Sequence, residues 1–193
     1  EHFTVGVWSS AQHHNARTLV NHIWGKQRDR LAFVWGQDRC THVGAMDPAA
    51  GPGHGLGKPI LLKDLPALWA VSSYARFGPN NTLLLDDSPY KAVMNPAHTA
   101  IHPAEYKLSW GGADVNVTGE ESDANDRRRI ADELLGPNGA LRTYLAKLSE
   151  CETVTAYVAA NPWRSFGPAA PDSDPGLMAK AREGGEAVAA AAA

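Results

Sequence analysis

Asn81-Thr82-Leu83-Leu84-Leu85-Asp86-Asp87-Ser88-Pro89-Tyr90-Lys91-Ala92 is the stretch on which the reading of the fold turns. Thr82 to Leu85 is the most strand-like run in the chain, and it stops at two adjacent carboxylates followed by turn residues. Two neighbouring carboxylates repel each other, and burial at a strand end raises that cost. A hard divalent cation relieves it: Mg²⁺ is commonly held by one or two carboxylates, with substrate phosphate completing its shell. Asp-Asp-Ser-Pro is also good turn chemistry, so the pair alone leaves a solvated turn open as a second reading.

Outward from this point the chain alternates strands and helices. Phe3 to Trp8 reads as a buried strand, followed by Ser9 and Ser10, which are suited to cap a helix. Ala11 to Trp24 carries a helical stripe of Ala16, Leu19, Val20, Ile23 and Trp24, closed by Gly25. Leu31 to Trp35 is a second strand. Gly36 to Pro59 reads as loop-rich, with Ala49 to Gly57 having the composition of a flexible insertion. Ile60-Leu61-Leu62 leads to Lys63, after which Pro66 to Trp69 opens a short helix. Thr99 to Ile101 is a further strand. From Asp123 the period becomes helical, marked by Ile130 and Leu134, then by Leu141, Tyr144, Leu145 and Leu148 beyond Gly136-Pro137-Asn138-Gly139. Val154 to Ala160 is the last expected helix, and the Pro/Gly/Ala-rich stretch from 168 to 193 reads as a disordered tail. This pattern predicts an α/β domain over residues 1–167 with a parallel sheet, whose active site lies beyond the carboxyl ends of the strands.

Composition narrows the function classes. A chain of 193 residues with 44% apolar and 20% charged residues is ordinary for one globular domain. A net charge of −3 gives no general electrostatic reason to bind nucleic acid. No apolar run approaches the roughly 18 residues that span a bilayer. Cys40 and Cys151 fit neither a disulfide framework nor a zinc pattern, which favours a reducing compartment. The chain opens directly in a strand-like run without Met, which reads as an N-terminally truncated domain. Gly57-Lys58 is no P-loop, because positions 52 and 59 are both proline. His98 and His102 lack the intervening Glu of a zinc-protease pair.

Taken singly, Ser9 reads as a plain cap and Lys63 as a surface lysine. Taken together, a hydroxyl, a lysine and an acidic pair each follow a strand, in that chain order. Phe3-Thr4-Val5-Gly6-Val7-Trp8-Ser9-Ser10, then Leu62-Lys63-Asp64-Leu65, then Asn81 to Ala92 resemble the phosphatases acting on the RNA polymerase II C-terminal domain (the NLI-interacting-factor-like family of the haloacid-dehalogenase superfamily), and its plant members most. The resemblance continues through Asn95-Pro96, Leu141 to Leu145 and Tyr157 to Pro162, and covers about residues 3–167.

The resemblance implies a three-layer Rossmann-like fold with a parallel sheet and a phosphoserine/phosphothreonine protein phosphatase that uses Mg²⁺. In that family the nucleophile is an aspartate of a first motif, Asp-x-Asp-x-Thr/Val, which forms an aspartyl-phosphate. Ser9, with Ser10 beside it, would bind phosphoryl oxygens. Lys63 would stabilise the phosphoryl charge and orient the nucleophile. Asp87 would ligate Mg²⁺ and Asp86 would support that site. The Gly36 to Gly57 stretch stands where family members build a substrate-contacting cap. This sequence holds no Asp-x-Asp-x-Thr/Val after an apolar strand, since Asp172-Ser173-Asp174 follows no strand and lacks the closing residue. The first central strand is therefore expected to be missing, and this chain is expected to be inactive by itself. The partner implied is a phosphoprotein substrate in nucleus or cytoplasm. The alternative is a non-catalytic binding module like the receptor subunit of the mitochondrial inner-membrane translocase, which has the same fold.

Overall fold

The computed structural model describes residues 2–45, 59–105 and 134–192. The expected helical run from Asp123 through Ile130 and the expected insertion Ala49 to Gly57 lie outside them. The described chain is mixed helix and sheet with small parallel sheets, and it forms two compact units. One comprises Glu1–Tyr74, Tyr90–Asn95 and Ser173–Ala193; the other comprises Ala75–Pro89 and Pro96–Asp172.

In the first unit, β1 (Val7–Trp8) pairs in parallel with β2 (Val34–Trp35). The backbone pairing extends past both strands, with Ala32 N donating to Val5 O and Ser9 N to Trp35 O. Between them α1 (His13–Trp24) runs into a 3-10 turn, Gly25–Arg30. Gly25 takes φ +49°, a left-handed conformation that suits glycine at a helix end. The predicted stripe on α1 is only partly inward: Ala16 and Val20 are buried, while Leu19 and Ile23 are exposed. Trp8, Phe33, Trp35 and Tyr74 form a chain of ring contacts at centroid distances of 4.6–5.8 Å.

β3 (Thr41–Ala45) pairs antiparallel with β4 (Pro59–Leu62), with Thr41 opposite Leu62 and a register shift between His42 and Ala45. Gly44, at φ +124°, supplies the backbone that this irregularity needs. The loop-rich stretch Gly36 to Pro59 thus contains a strand, and the expected parallel sheet is corrected at Ile60-Leu61-Leu62, whose partner is antiparallel. Thr41, His42 and Val43 are β-branched or aromatic, which the neighbouring glycines and prolines masked on reading by composition. α2 (Leu65–Trp69) follows β4, with proline in its first turn as expected.

The expected disordered tail is also corrected. Residues Pro175–Ala192 form a helix, α5. Asp174 Oδ1 accepts from Leu177 N at 2.9 Å, an N-cap followed by proline, and alanine supplies the highest helix propensity. α5 is part of the first unit's core: Ala181 is fully buried with Ile60, Leu62 and Tyr90, beside Val43, Met94 and Leu177. Gly184 and Gly185 allow this close approach, since a Cβ on Gly184 would stand 2.5 Å from Val43 O.

In the second unit, β5 (Leu84–Leu85) pairs in parallel with β6 (Ala100–Ile101). α3 (Ala140–Leu148) and α4 (Val154–Ala160) follow, the second with the boundaries expected and with Thr153 Oγ1 capping Ala156 N. Tyr144, Tyr157, Val158, Trp163, Leu148 and Ile101 build the core. Tyr144 is fully buried, packs edge-on against Tyr157, Trp163 and Phe166, and donates its hydroxyl to Asn161 O at 2.9 Å.

Gly184→Ala tests the packed tail. On helix propensity alone the change would stabilise by up to about 1 kcal/mol. Against the Val43 carbonyl it is expected to destabilise by about 1–3 kcal/mol, read as a lower urea midpoint at unchanged slope; a gain in stability would remove α5 from the core. Tyr144 gives a pH test. Burial pushes its phenol up to about 12, with the Tyr157 phenol adding to it. A raised folded pKa means the contribution is complete below the unfolded value near 10 and is lost as pH rises through about 12. The stability advantage of the parent over Tyr144→Phe is therefore expected to shrink between those two pH values, by chemical denaturation.

Candidate functional site

The five residues expected to handle phosphate divide between the units: Ser9, Ser10 and Lys63 in the first, Asp86 and Asp87 in the second. Each group stands directly after a strand. Ser9 follows β1, which ends at Trp8; Lys63 follows β4, which ends at Leu62; Asp86 follows β5, which ends at Leu85.

Ser9 is not the cap of α1. That helix starts at His13, with Gln12 at its N-cap position and no side-chain cap. Ser9 Oγ instead accepts from Ala11 N at 3.1 Å, a local serine turn that leaves its hydroxyl proton able to donate to a ligand. Ser9 O and Gly36 O both lie 4.0 Å from Cys40 Sγ. Burial pushes the Cys40 thiol up, opposed by the nearby Trp8 indole and by the charges of Lys63 and Lys91. The Trp8 Nε1 is buried and reaches no partner at hydrogen-bond distance. It stands near enough to the sulfur to favour the thiolate without bonding it. Cys40 therefore links the end of β1 to the field of Lys63, and the dominant burial makes it a protonated packing group rather than a nucleophile.

Lys63 is 7% exposed. A surface lysine is excluded by that figure. Its backbone is held at both polar atoms: N donates to Lys91 O at 2.8 Å, and O accepts from Asn95 Nδ2 at 3.0 Å. Asn95 Oδ1 in turn accepts from Leu65 N at 2.8 Å. One amide side chain thus ties the end of β4 to the start of α2 and fixes where the lysine begins. This role was legible only as the Asn-Pro pair in the sequence; nothing in its spacing named Lys63 as its partner.

Asp86 and Asp87 resolve their mutual repulsion by facing different surroundings. Asp86 is buried, and Asp87 is exposed. Ser88 serves both: its N donates to Asp86 Oδ1 at 2.9 Å and its Oγ to Asp87 Oδ1 at 3.0 Å. His102 Nδ1 lies 2.8 Å from Asp86 O. A carbonyl only accepts, so Nδ1 carries the proton and the neutral ring has its lone pair on Nε2. His102 and His98 line a cavity of about 290 Å³ with Ile101, Val158 and Trp163. His98 sits at φ +64°, an uncommon conformation for a residue with a side chain.

The Mg²⁺ expected from the resemblance finds an incomplete donor set. Among the described residues no group of three or more His, Cys, Asp or Glu is placed to hold a metal ion. Asp87 offers an exposed carboxylate, while Asp86 Oδ1 accepts from the backbone N–H of Ser88. Among the described residues Asp86 and Asp87 are the two carboxylates of the expected site, one buried and one exposed. Among the described residues no helix is long and apolar enough to cross a membrane.

The two carboxylates should separate by mutation. Asp86→Ala removes the acceptor of a buried turn and is expected to cost about 1–2 kcal/mol, whereas Asp87→Ala stays within about 0.5 kcal/mol. Urea unfolding of both variants decides this, and equal midpoints would mean that Asp86 does not hold the turn. Comparison with protein-family models, with curated proteins and with solved structures found no match.

Proposed function

We propose that this chain is the phosphate-handling part of a phosphoserine/phosphothreonine protein phosphatase of the haloacid-dehalogenase type, without turnover of its own. The observation that carries the reading is the strand-end placement: a hydroxyl, a buried lysine and an acidic turn each begin at the residue after a strand, in the chain order of that family. Strand carboxyl ends are where open α/β sheets collect ligand-binding groups. In this reading Ser9 and Ser10 meet phosphoryl oxygens, Lys63 offsets their charge and Asp87 contributes one carboxylate to a Mg²⁺ shell that other groups must complete. The complete domain would add a central strand bearing the nucleophile to a three-layer sheet. Exposed Phe3 and Val5 beside β1 suit a sheet lacking a neighbour. The absence of Asp-x-Asp-x-Thr/Val after an apolar strand also favours the second reading, a non-catalytic peptide-binding module of the same fold.

The chain alone, with Mg²⁺ and a phosphoserine peptide, is expected to release no phosphate above background. Extended ahead of Phe3 by an apolar strand ending in Asp-x-Asp-x-Thr, it is expected to release phosphate, and Lys63→Met in that background to lower the rate by roughly 10²–10³. Turnover by the unextended chain that survives Asp87→Asn overturns the claim of inactivity. A folded, extended chain that stays inert favours the binding module.

A further inference from the structure

The first unit holds a second group of basic side chains, on α1 and the 3-10 turn. An open cavity of about 460 Å³ is lined by His13 and Arg17 of α1, Arg28 and Asp29 of the 3-10 turn, and Leu31, Phe33 and Val34 on the approach to and within β2. Although the Arg28 carbonyl accepts from Leu31 N, the side chains of Arg17 and Arg28 make no hydrogen bond or ion pair among the described residues. Other arginines do: Arg30 donates to Gln27, Arg39 pairs with Asp38 and Arg164 with Asp172. Two arginines whose side chains have no partner in the protein thus line one cavity, against the single carboxylate of Asp29. The surroundings are basic as well: residues 11–40 contain five Lys or Arg against two Asp, in a chain whose net charge is −3.

The ligand class follows from these groups. A carboxylate has two oxygens and satisfies one guanidinium fork, whereas a phosphate ester has three acceptor oxygens and up to two charges, enough for both. The cavity is larger than one phosphoryl group needs and falls in the size range of sites that hold a side chain with its neighbours. Half-buried Leu31, Phe33 and Val34 give those neighbours an apolar floor. We propose that Arg17 and Arg28 form a docking pocket for a phosphorylated residue of a peptide, separate from the Ser9–Lys63 groups, so that a substrate carrying more than one phosphate is held at one while another is presented for reaction. The choice of a phosphoprotein rests on the phosphatase reading; the placement of the two arginines on one cavity does not.

The test is calorimetric titration of the full chain with a peptide bearing one phosphoserine and with its unphosphorylated counterpart. The phosphorylated peptide is expected to bind at least about tenfold tighter. Arg17→Ala with Arg28→Ala should abolish that difference, and the double lysine variant should recover only part of it, because an ammonium lacks the planar fork. Asp29→Asn should tighten binding severalfold, and Lys63→Ala should leave the Arg-dependent part unchanged. Circular dichroism of each variant confirms that the fold is kept, and the exposed Arg17→Ala alone serves if the double variant unfolds. Binding that is indifferent to phosphate, that survives loss of both arginines or that is lost with Lys63 instead overturns the proposal. So does a DNA oligonucleotide or an anionic phospholipid vesicle that binds through the same arginines more tightly than the peptide. If Arg-dependent binding appears while the strand-extended chain stays inert, the docking pocket stands and the phosphatase reading falls.

Discussion

Two strands hydrogen-bonded only to each other have little stability of their own in water, and each sheet among the described residues is of that kind. The strands must therefore be held by what packs on them. β3 and β4 are held by α5, whose Ala181 is fully buried against Ile60 and Leu62. β5 and β6 are held through Ile101, which packs with Tyr144, Tyr157 and Trp163 of the helical layer. β1 and β2 rely on Ala16 and Val20 of α1 and on the ring contacts of Trp8, Phe33, Trp35 and Tyr74. Ser9, Lys63 and Asp86 each sit one residue beyond such a strand, so their positions are only as fixed as the side packing of a two-stranded ladder.

This dependence explains what the sequence made legible. Continuous apolar runs such as Thr82 to Leu85 marked strand positions well, although the regular strands are shorter than the runs: Val7–Trp8 within Phe3 to Trp8, and Leu84–Leu85 within Thr82 to Leu85. Helices with a clear stop were found closely, Val154 to Ala160 being the case where Thr153 and Asn161-Pro162 punctuate both ends. The failures came where composition outweighed local chemistry. The tail was judged by its Pro, Gly and Ala content, but Asp174-Pro175 is a helix start and alanine is the best helix former. β3 was judged by the glycines around it, although its own residues have strand character and its glycine serves a register shift.

The candidate site was legible in residue identity and not in partnership. Asp86-Asp87 announced a cost that something must relieve, but the sequence could not say that Ser88 bonds both carboxylates or that one faces solvent and the other does not. Ser9 was assigned to a cap it does not form, because the helix starts four residues later, at His13. Asn95 and His102 stand out in the sequence only as an Asn-Pro pair and a spaced histidine pair, and neither pattern names its partner: each acts on the backbone of a site residue, Asn95 on Lys63 and His102 on Asp86, across about thirty and sixteen positions of sequence. Such long-range backbone contacts leave no periodicity to read.

The same asymmetry sets what the site can do. Lys63 is a cation with little access to water, and a buried charge is tolerated only when its surroundings compensate it. Asp86 is its counterpart among the acids, equally buried and engaged with its own turn. Ser9 and Asp87 are the more accessible members, with a hydroxyl proton and a carboxylate able to meet a ligand. Arg17 differs from Lys63 in being exposed, and an exposed charge is screened by water and salt much more than a buried one.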